Sequence, residues 1–231
     1  MHDVPSPPPA IVSPAPPAGP WIAVPRPWAT PQFLAQHEAF VTRARQGGID
    51  VLFLGDSITE NFATRGQAVW DREIAPLGNV VDFGIGGDRT QFVLWRAQHG
   101  ELAGSGARVV VLMVGTNNLA TATPENVARG IAAIVDTVRA ALPGTTVVIN
   151  ALLPRGDRDD PLRAKLADVN ARLSALADGK RVLWCDAGPG FVDADGELQP
   201  ALMPDKLHPS AAGYEVWAAA LRPVLLGALS K

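Results

Sequence analysis

The chain of 231 residues is 47% hydrophobic with a formal net charge of −3, values that suit a single α/β unit with a full core better than two domains. The lack of a basic stripe argues against nucleic acid as a partner, and no apolar run approaches the roughly 18 residues needed to span a bilayer. The single cysteine, Cys185 in R-V-L-W-C-D, permits no internal disulfide and no cysteine-built zinc site, and its apolar setting assigns it to core packing.

Residues 1–31 hold 11 of the 21 prolines, a composition that favours extended polyproline structure and builds no core. They read as an arm or tether ahead of a domain at residues 32–231. Trp21, Ile22, Val24 and Trp28 are too apolar to be idle, so the second half of the arm is expected to pack on the domain. No apolar h-region or basic start marks a signal peptide. A proline-rich leader also occurs on exported enzymes whose signal has been removed, which leaves periplasmic, secreted and cytoplasmic locations open.

From Pro31, Phe33, Leu34, His37, Phe40, Val41 and Ala44 form a helical stripe closed by Gly47-Gly48. That stripe makes His37 a half-buried structural residue. Strands are predicted at about Asp50–Leu54, Asn79–Phe83, Ala107–Val114, Thr145–Leu152 and Arg181–Asp186. Between them lie a helix carrying Trp70, one starting near Arg89 with Phe92, Val93 and Trp95, one opened by Thr123-Pro124-Glu125, and one with Leu162, Leu166, Val169, Leu173 and Leu176 at helical spacing. Ser210 is the expected cap of a last helix starting near Ala211. Strands alternating with helices specify a parallel sheet covered on both faces, a three-layer α/β/α sandwich with five strands.

The first strand breaks at Gly55-Asp56-Ser57, and a serine at the C-terminal end of a buried parallel strand stands where open α/β sheets bind ligands. Asp56 or Ser57 is also suited to cap the following helix. Two further strand ends carry G-I-G-G-D and G-T-N-N. Because parallel strands point the same way, the three loops gather on one edge and offer a hydroxyl, glycine N–H groups and a side-chain amide, as acyl transfer requires. A general base is needed as well. His2 is in the tail, His37 is on the core stripe and His99 precedes the third strand, which leaves His208 in Asp205-Lys206-Leu207-His208. On one helical turn, residues i and i+3 share a face, so Asp205 can accept from one imidazole nitrogen and leave the other for Ser57. Arg155-Gly156-Asp157 resembles an adhesion tripeptide, but three common loop residues carry little weight.

These blocks resemble the SGNH hydrolases, also called the GDSL esterase/lipase superfamily. The likeness is strongest to the catalytic subunits of intracellular platelet-activating-factor acetylhydrolase and their bacterial esterase relatives. It runs from about Gly48 to Leu225 through W-D-R-E, F-G-I-G-G-D, V-L-W-R, G-T-N-N, L-L-P-R-G and D-x-x-H, and it implies a flavodoxin-like fold. Carried over, the nucleophile is Ser57, the oxyanion donors are the N–H groups of Ser57 and Gly87 and the amide of Asn117, and Asp205 and His208 complete the triad. Asp82 departs from the pattern, many relatives having asparagine there. The resemblance also allows a homodimer, although the sequence declares no interface.

No cofactor or metal is required by this reading. A metallophosphatase site built on Asp56, Asp88, Asn117 and His208 lacks the several histidines such centres use. G-x-S-x-T lacks the second glycine of the α/β-hydrolase turn, and Gly84-Ile85-Gly86-Gly87 does not match G-x-G-x-x-G. Ile58, Thr116 and Leu207, each beside a matched residue, are expected to crowd the acyl side and favour acetyl or slightly longer groups. The resemblance implies a small-molecule or glycan ester as substrate, with O-acetylated carbohydrate ahead of phospholipid-like or aryl esters. A module that binds acylated glycans without turnover is the alternative from a different class.

Overall fold

Five short strands, Val51–Gly55 (β1), Val80–Gly84 (β2), Val109–Met113 (β3), Thr146–Asn150 (β4) and Val182–Cys185 (β5), pair in parallel in the order β2-β1-β3-β4-β5. They come from a computed structural model that describes residues 19–27 and 30–230. The expected polyproline character of residues 1–18, with His2, and the packing expected of Trp28 fall outside the described residues.

β1, β3 and β4 are buried along their whole length, as continuous apolar runs in a parallel sheet require. Their side chains alternate between two apolar layers. Leu52, Leu54, Val110, Leu112, Val147 and Ile149 join one layer, covered by Pro31–Arg45 (α1), Thr90–Arg96 (α4), Pro124–Ala141 (α5) and Pro161–Ser174 (α6). Val51, Phe53, Val109, Val111, Met113 and Val148 join the other. That second layer lies under Ser57–Glu60 (α2), Gln67–Val69 (α3) and Ala211–Leu229 (α7). The result is the three-layer α/β/α sandwich with flavodoxin-like strand order.

Local chemistry fixes the helix starts. Thr30, Thr123 and Asp160 accept from the N–H groups of Phe33, Asn126 and Leu162, each followed by proline at the first helical position, and Ser210 caps α7 through Gly213 N–H. Two expected core leucines lie outside: Leu34 is 48% exposed, and Leu176, 38% exposed, lies beyond the end of α6. The expected helix around Trp70 is broken into α2, α3, a wide turn at Trp70–Ile74 and a tight one at Ala75–Leu77. It still delivers Trp70 to the core beside Phe53, with ring centroids 5.0 Å apart.

The described part of the arm rests on the domain. Thr90 Oγ1 donates to the Pro20 carbonyl at 2.8 Å, Val24 N–H donates to the Gln91 carbonyl, and the Arg129 guanidinium lies 4.3 Å over the Trp21 ring. Gly130 makes room for this contact, since a Cβ there would stand 2.6 Å from the Pro20 carbonyl oxygen.

In the second layer Phe62 stacks on Tyr214 and Trp217, with centroids 4.8 Å apart in both pairs. Trp217 Nε1 donates to Asn150 Oδ1 at 2.9 Å, with both residues buried. Trp217→Phe strands the Asn150 amide oxygen and should cost at least about 1–3 kcal/mol in denaturant unfolding. Adding Asn150→Val to that variant should recover part of the loss, because both polar partners are then gone.

Candidate active site

In a sheet of this order the crevice for ligands opens where neighbouring connections diverge, outside the C-terminal ends of β1 and β3. β1 ends at Gly55, where a Cβ would stand 2.5 Å from the Met113 carbonyl oxygen. Asp56 caps α2, its Oδ1 accepting from Ile58 N–H at 3.0 Å, so the capping reading holds for Asp56 and leaves the Ser57 side chain uncommitted to the backbone. Ser57 is the first residue of α2, and its N–H therefore has no acceptor within the helix.

Ser57 Oγ lies 2.9 Å from His208 Nε2, and His208 Nδ1 lies 2.8 Å from Asp205 Oδ2. If Nδ1 carries the proton and donates it to Asp205, Nε2 is left to accept from the hydroxyl. The turn holding Asp205 and His208 differs from the expected helical turn. Lys206 has φ +58°, and Asp205 Oδ1 accepts from Leu207 N–H at 3.0 Å and His208 N–H at 2.7 Å. The aspartate thus folds the backbone under itself, as short acidic side chains do in turns, while its other oxygen holds the imidazole. Partial burial pushes the Asp205 carboxyl up, but the hydrogen bonds from His208 and Leu207 outweigh that and bring it to about 2.

The loop discounted as an adhesion motif braces this turn. Gly156 N–H donates to the Lys206 carbonyl and Asp157 pairs with Lys206 Nζ. Arg155 Nη1 donates to both the carbonyl and the hydroxyl of Thr116, at 3.0 Å each.

Gly87 has φ +77°, a conformation costly for residues with a Cβ, and is exposed. Asn117 Nδ2 donates one hydrogen to the Asp88 carbonyl at 2.9 Å, which sets the direction of the other. The neighbouring Asn118 is buried, accepting from Thr90 N–H and donating to Gln91 Oε1, and so serves the fold. Of the residues expected on the acyl side, Ile58 is buried, with its carbonyl taken by Tyr214 OH at 2.7 Å. Thr116 is buried under Arg155, and Leu207 is partly exposed.

Beneath the loops lies a charge network that sequence reasoning missed. Arg96 is fully buried, donates to Asp88 Oδ2 at 2.8 Å and to the Gly55 carbonyl at 3.3 Å, and pairs with Glu101. Glu101 also bonds His37 Nδ1 at 2.9 Å, so His37 serves the fold, buried rather than half-buried as expected. His99 stacks on Trp95 at 4.2 Å and bonds its carbonyl. The one available signal for Arg96 was its place among apolar neighbours in F-V-L-W-R. Arg26, Gln36 and Glu60 near the site were also missed, the first because it lies in the arm. Cys185 is buried and its thiol is pushed up to about 12, chiefly by burial, as expected of a packing residue.

Asp82 Oδ1 accepts from Gly84 N–H at 2.7 Å, holding the start of the G-I-G-G loop. Burial pushes its carboxyl up to about 7, against the opposing bond from Gly84, with Glu60 adding to the rise.

A hydroxyl, an imidazole and a carboxylate in line at the strand ends of an α/β sandwich have the layout of a serine-type hydrolase. Comparison with known proteins identifies the family. Residues 53–216 match the GDSL-like Lipase/Acylhydrolase family, and the chain belongs to that family; it is an ester-hydrolysing enzyme. It is 40% identical over 201 residues to human platelet-activating factor acetylhydrolase IB subunit alpha1, covering 87% of this chain and 85% of the human one. Among solved structures, a GDSL-like lipase from Bacteroides thetaiotaomicron superposes with a TM-score of 0.68 at 20% identity, over 85% of this chain and 97% of that one. An acetylxylan esterase from Geobacillus stearothermophilus superposes with a TM-score of 0.64, also at 20% identity, over 78% and 94%. These two likenesses bear on the fold.

The raised carboxyl of Asp82 gives a pH test. A group that binds its proton more tightly folded than unfolded adds stability at low pH, and that contribution is lost as pH rises through the folded value. Asp82→Asn keeps the acceptor for Gly84 N–H and removes the titration. From pH 5 to pH 8.5 its melting temperature should therefore rise relative to wild type, and a constant gap between the two would contradict the assigned shift.

Proposed function

We propose that this chain hydrolyses short-acyl, mainly acetyl, carboxylic esters with Ser57 as nucleophile, and that O-acetylated carbohydrates are its substrate class. The observation that carries the reading is the continuous hydrogen-bonded line from Asp205 through His208 to Ser57, at 2.8 and 2.9 Å. His208 Nε2 takes the hydroxyl proton as Ser57 Oγ bonds to the ester carbonyl carbon. Asp205, ionised down to about pH 2, steadies the imidazolium. The N–H groups of Ser57 and Gly87 and the second hydrogen of Asn117 Nδ2 stabilise the oxyanion. Collapse of the tetrahedral adduct breaks the bond to the alcohol oxygen, which leaves with the proton from His208. Water then adds to the acyl-enzyme by the same route, giving the carboxylic acid and free Ser57.

Ile58, Thr116 and Leu207 bound the acyl side in this reading. Arg155 holding Thr116 supports a wall that does not retreat to admit a long chain. The acetylhydrolase relatives support an acetyl preference, and the acetylxylan esterase among the structural neighbours suggests the carbohydrate alcohol. An acetylated phospholipid is the second reading, favoured by the same 40% identical relatives.

Hydrolysis of p-nitrophenyl esters from acetyl to decanoyl should peak at acetyl or butyryl and vanish in Ser57→Ala. Asn117→Ala should retain activity reduced about 10²–10³-fold in kcat, the usual loss for one oxyanion donor. A peak at decanoyl would remove the small acyl pocket, and undiminished turnover by Ser57→Ala would remove the mechanism.

A further inference from the structure

A small cleft of about 200 Å³ lies beside the candidate nucleophile, walled by polar Arg26, Thr30, Gln32, Gln36 and Glu60 together with the Phe33 ring and the Ile85-Gly86 step. It is built from four parts of the chain: the arm, the first turns of α1, the end of α2 and the glycine loop. Its nearness to Ser57 is set at the glycine loop. A Cβ on Gly86 would stand 2.9 Å from Glu60 Oε2 and 3.9 Å from Ser57 Cβ, and one on Gly87 would stand 2.9 Å from Arg26 Nη2. A carboxylate and a guanidinium thus meet the two glycines next to the reacting hydroxyl.

Both charges are held in place. Gln36 Nε2 donates to Glu60 Oε1 at 3.3 Å and to the Gly84 carbonyl at 3.4 Å. The Arg26 guanidinium lies 5.4 Å over the Phe33 ring and 3.6 Å from the Asp88 carboxylate. Ile58, Thr116 and Leu207, proposed for the acyl side, do not line this cleft. The cleft is thus separate from the wall proposed for the acyl side.

We propose that the N-terminal arm completes an alcohol subsite here, in which Arg26 and Glu60 bind the free hydroxyls of a compact polyol such as a single sugar ring. The proposal rests on the esterase reading above. A liquid-water share of about 30 Å³ makes the cleft roughly seven waters large, of the order of one sugar ring. Glu60 accepts from a hydroxyl, Arg26 and the amides donate, and each hydroxyl of a polyol does both. An alkyl chain or an aryl ring entering the same cleft would desolvate these groups and return no hydrogen bonds.

The test compares kcat/KM for a mono-O-acetylated pentose and for p-nitrophenyl acetate in wild type, Arg26→Ala, Glu60→Gln and Ser57→Ala, all in the full chain. Arg26→Ala and Glu60→Gln should each lose at least about tenfold more on the sugar ester than on the aryl ester, mostly through KM, and Glu60→Gln keeps the shape of the side chain should Arg26→Ala disturb Asp88. Equal losses on the two esters, or none, with Ser57→Ala inactive, would overturn the subsite and leave the esterase mechanism standing. Turnover of p-nitrophenyl acetate with none of the sugar ester in wild type would overturn it likewise. Full activity in Ser57→Ala would bring down Ser57 as the nucleophile, and with it the subsite placed beside it.

Discussion

Burying a guanidinium costs several kcal/mol unless its hydrogen bonds are met. Arg96 meets them with two carboxylates and one carbonyl: Asp88, Glu101 and the last residue of β1, Gly55. Burial alone would lower its pKa, but Glu101 and Asp88 outweigh that and hold the proton. Asp88 is gripped by its carboxylate from below while its carbonyl receives Asn117 from above. Glu101 reaches across to His37 of α1. The strand end carrying Ser57, the glycine loop, the asparagine loop and the first helix thus share one buried cation. Removing it would leave Asp88 and Glu101 buried with only Arg26 and His37 to face them, a change of about 3–5 kcal/mol by the usual measure, and would free the loops in the same stroke.

What the residues disclose on their own follows from how local each signal is. Runs such as A-R-V-V-V-L-M-V announce a strand buried on both faces, and Thr-Pro or Asp-Pro at a helix start fixes a cap. That Ser57, Asp205 and His208 would meet could be expected from the serine at a strand end, the D-x-x-H spacing ahead of the last helix and the small number of histidines. The turn that joins the last two was misread, because Lys206 adopts a left-handed conformation that only glycine, asparagine or aspartate would have advertised. Leu34 was placed inside because it flanks the stripe of Phe33, His37, Val41 and Ala44, and nothing local says where a stripe ends. Arg96 and Arg26 were passed over for a different reason. A charged residue is read as solvated until its partners are known, and those of Arg96 lie eight residues before it, five after, and in β1.

The G-I-G-G loop lies between two sources of order. Below it, Asp82 and Arg96 fix its start and its end. Above it, the arm brings Arg26 over Gly87 while Glu60 stands against Gly86, so a segment that resembles a tether by composition becomes part of the wall around the loop. Gly130, which lets Pro20 approach α5, is as much a condition of that wall as the residues that form it.

The hydroxyl and the imidazole are 151 positions apart in the chain. At the usual pace of synthesis, about 5–20 residues per second, the segment holding Ser57 emerges on the order of ten to thirty seconds before His208. Throughout that interval the nascent polypeptide has the strand end but lacks the imidazole and α7, the helix that closes the second apolar layer. The contact between Ser57 and His208 therefore waits until the segment that carries the imidazole has been made.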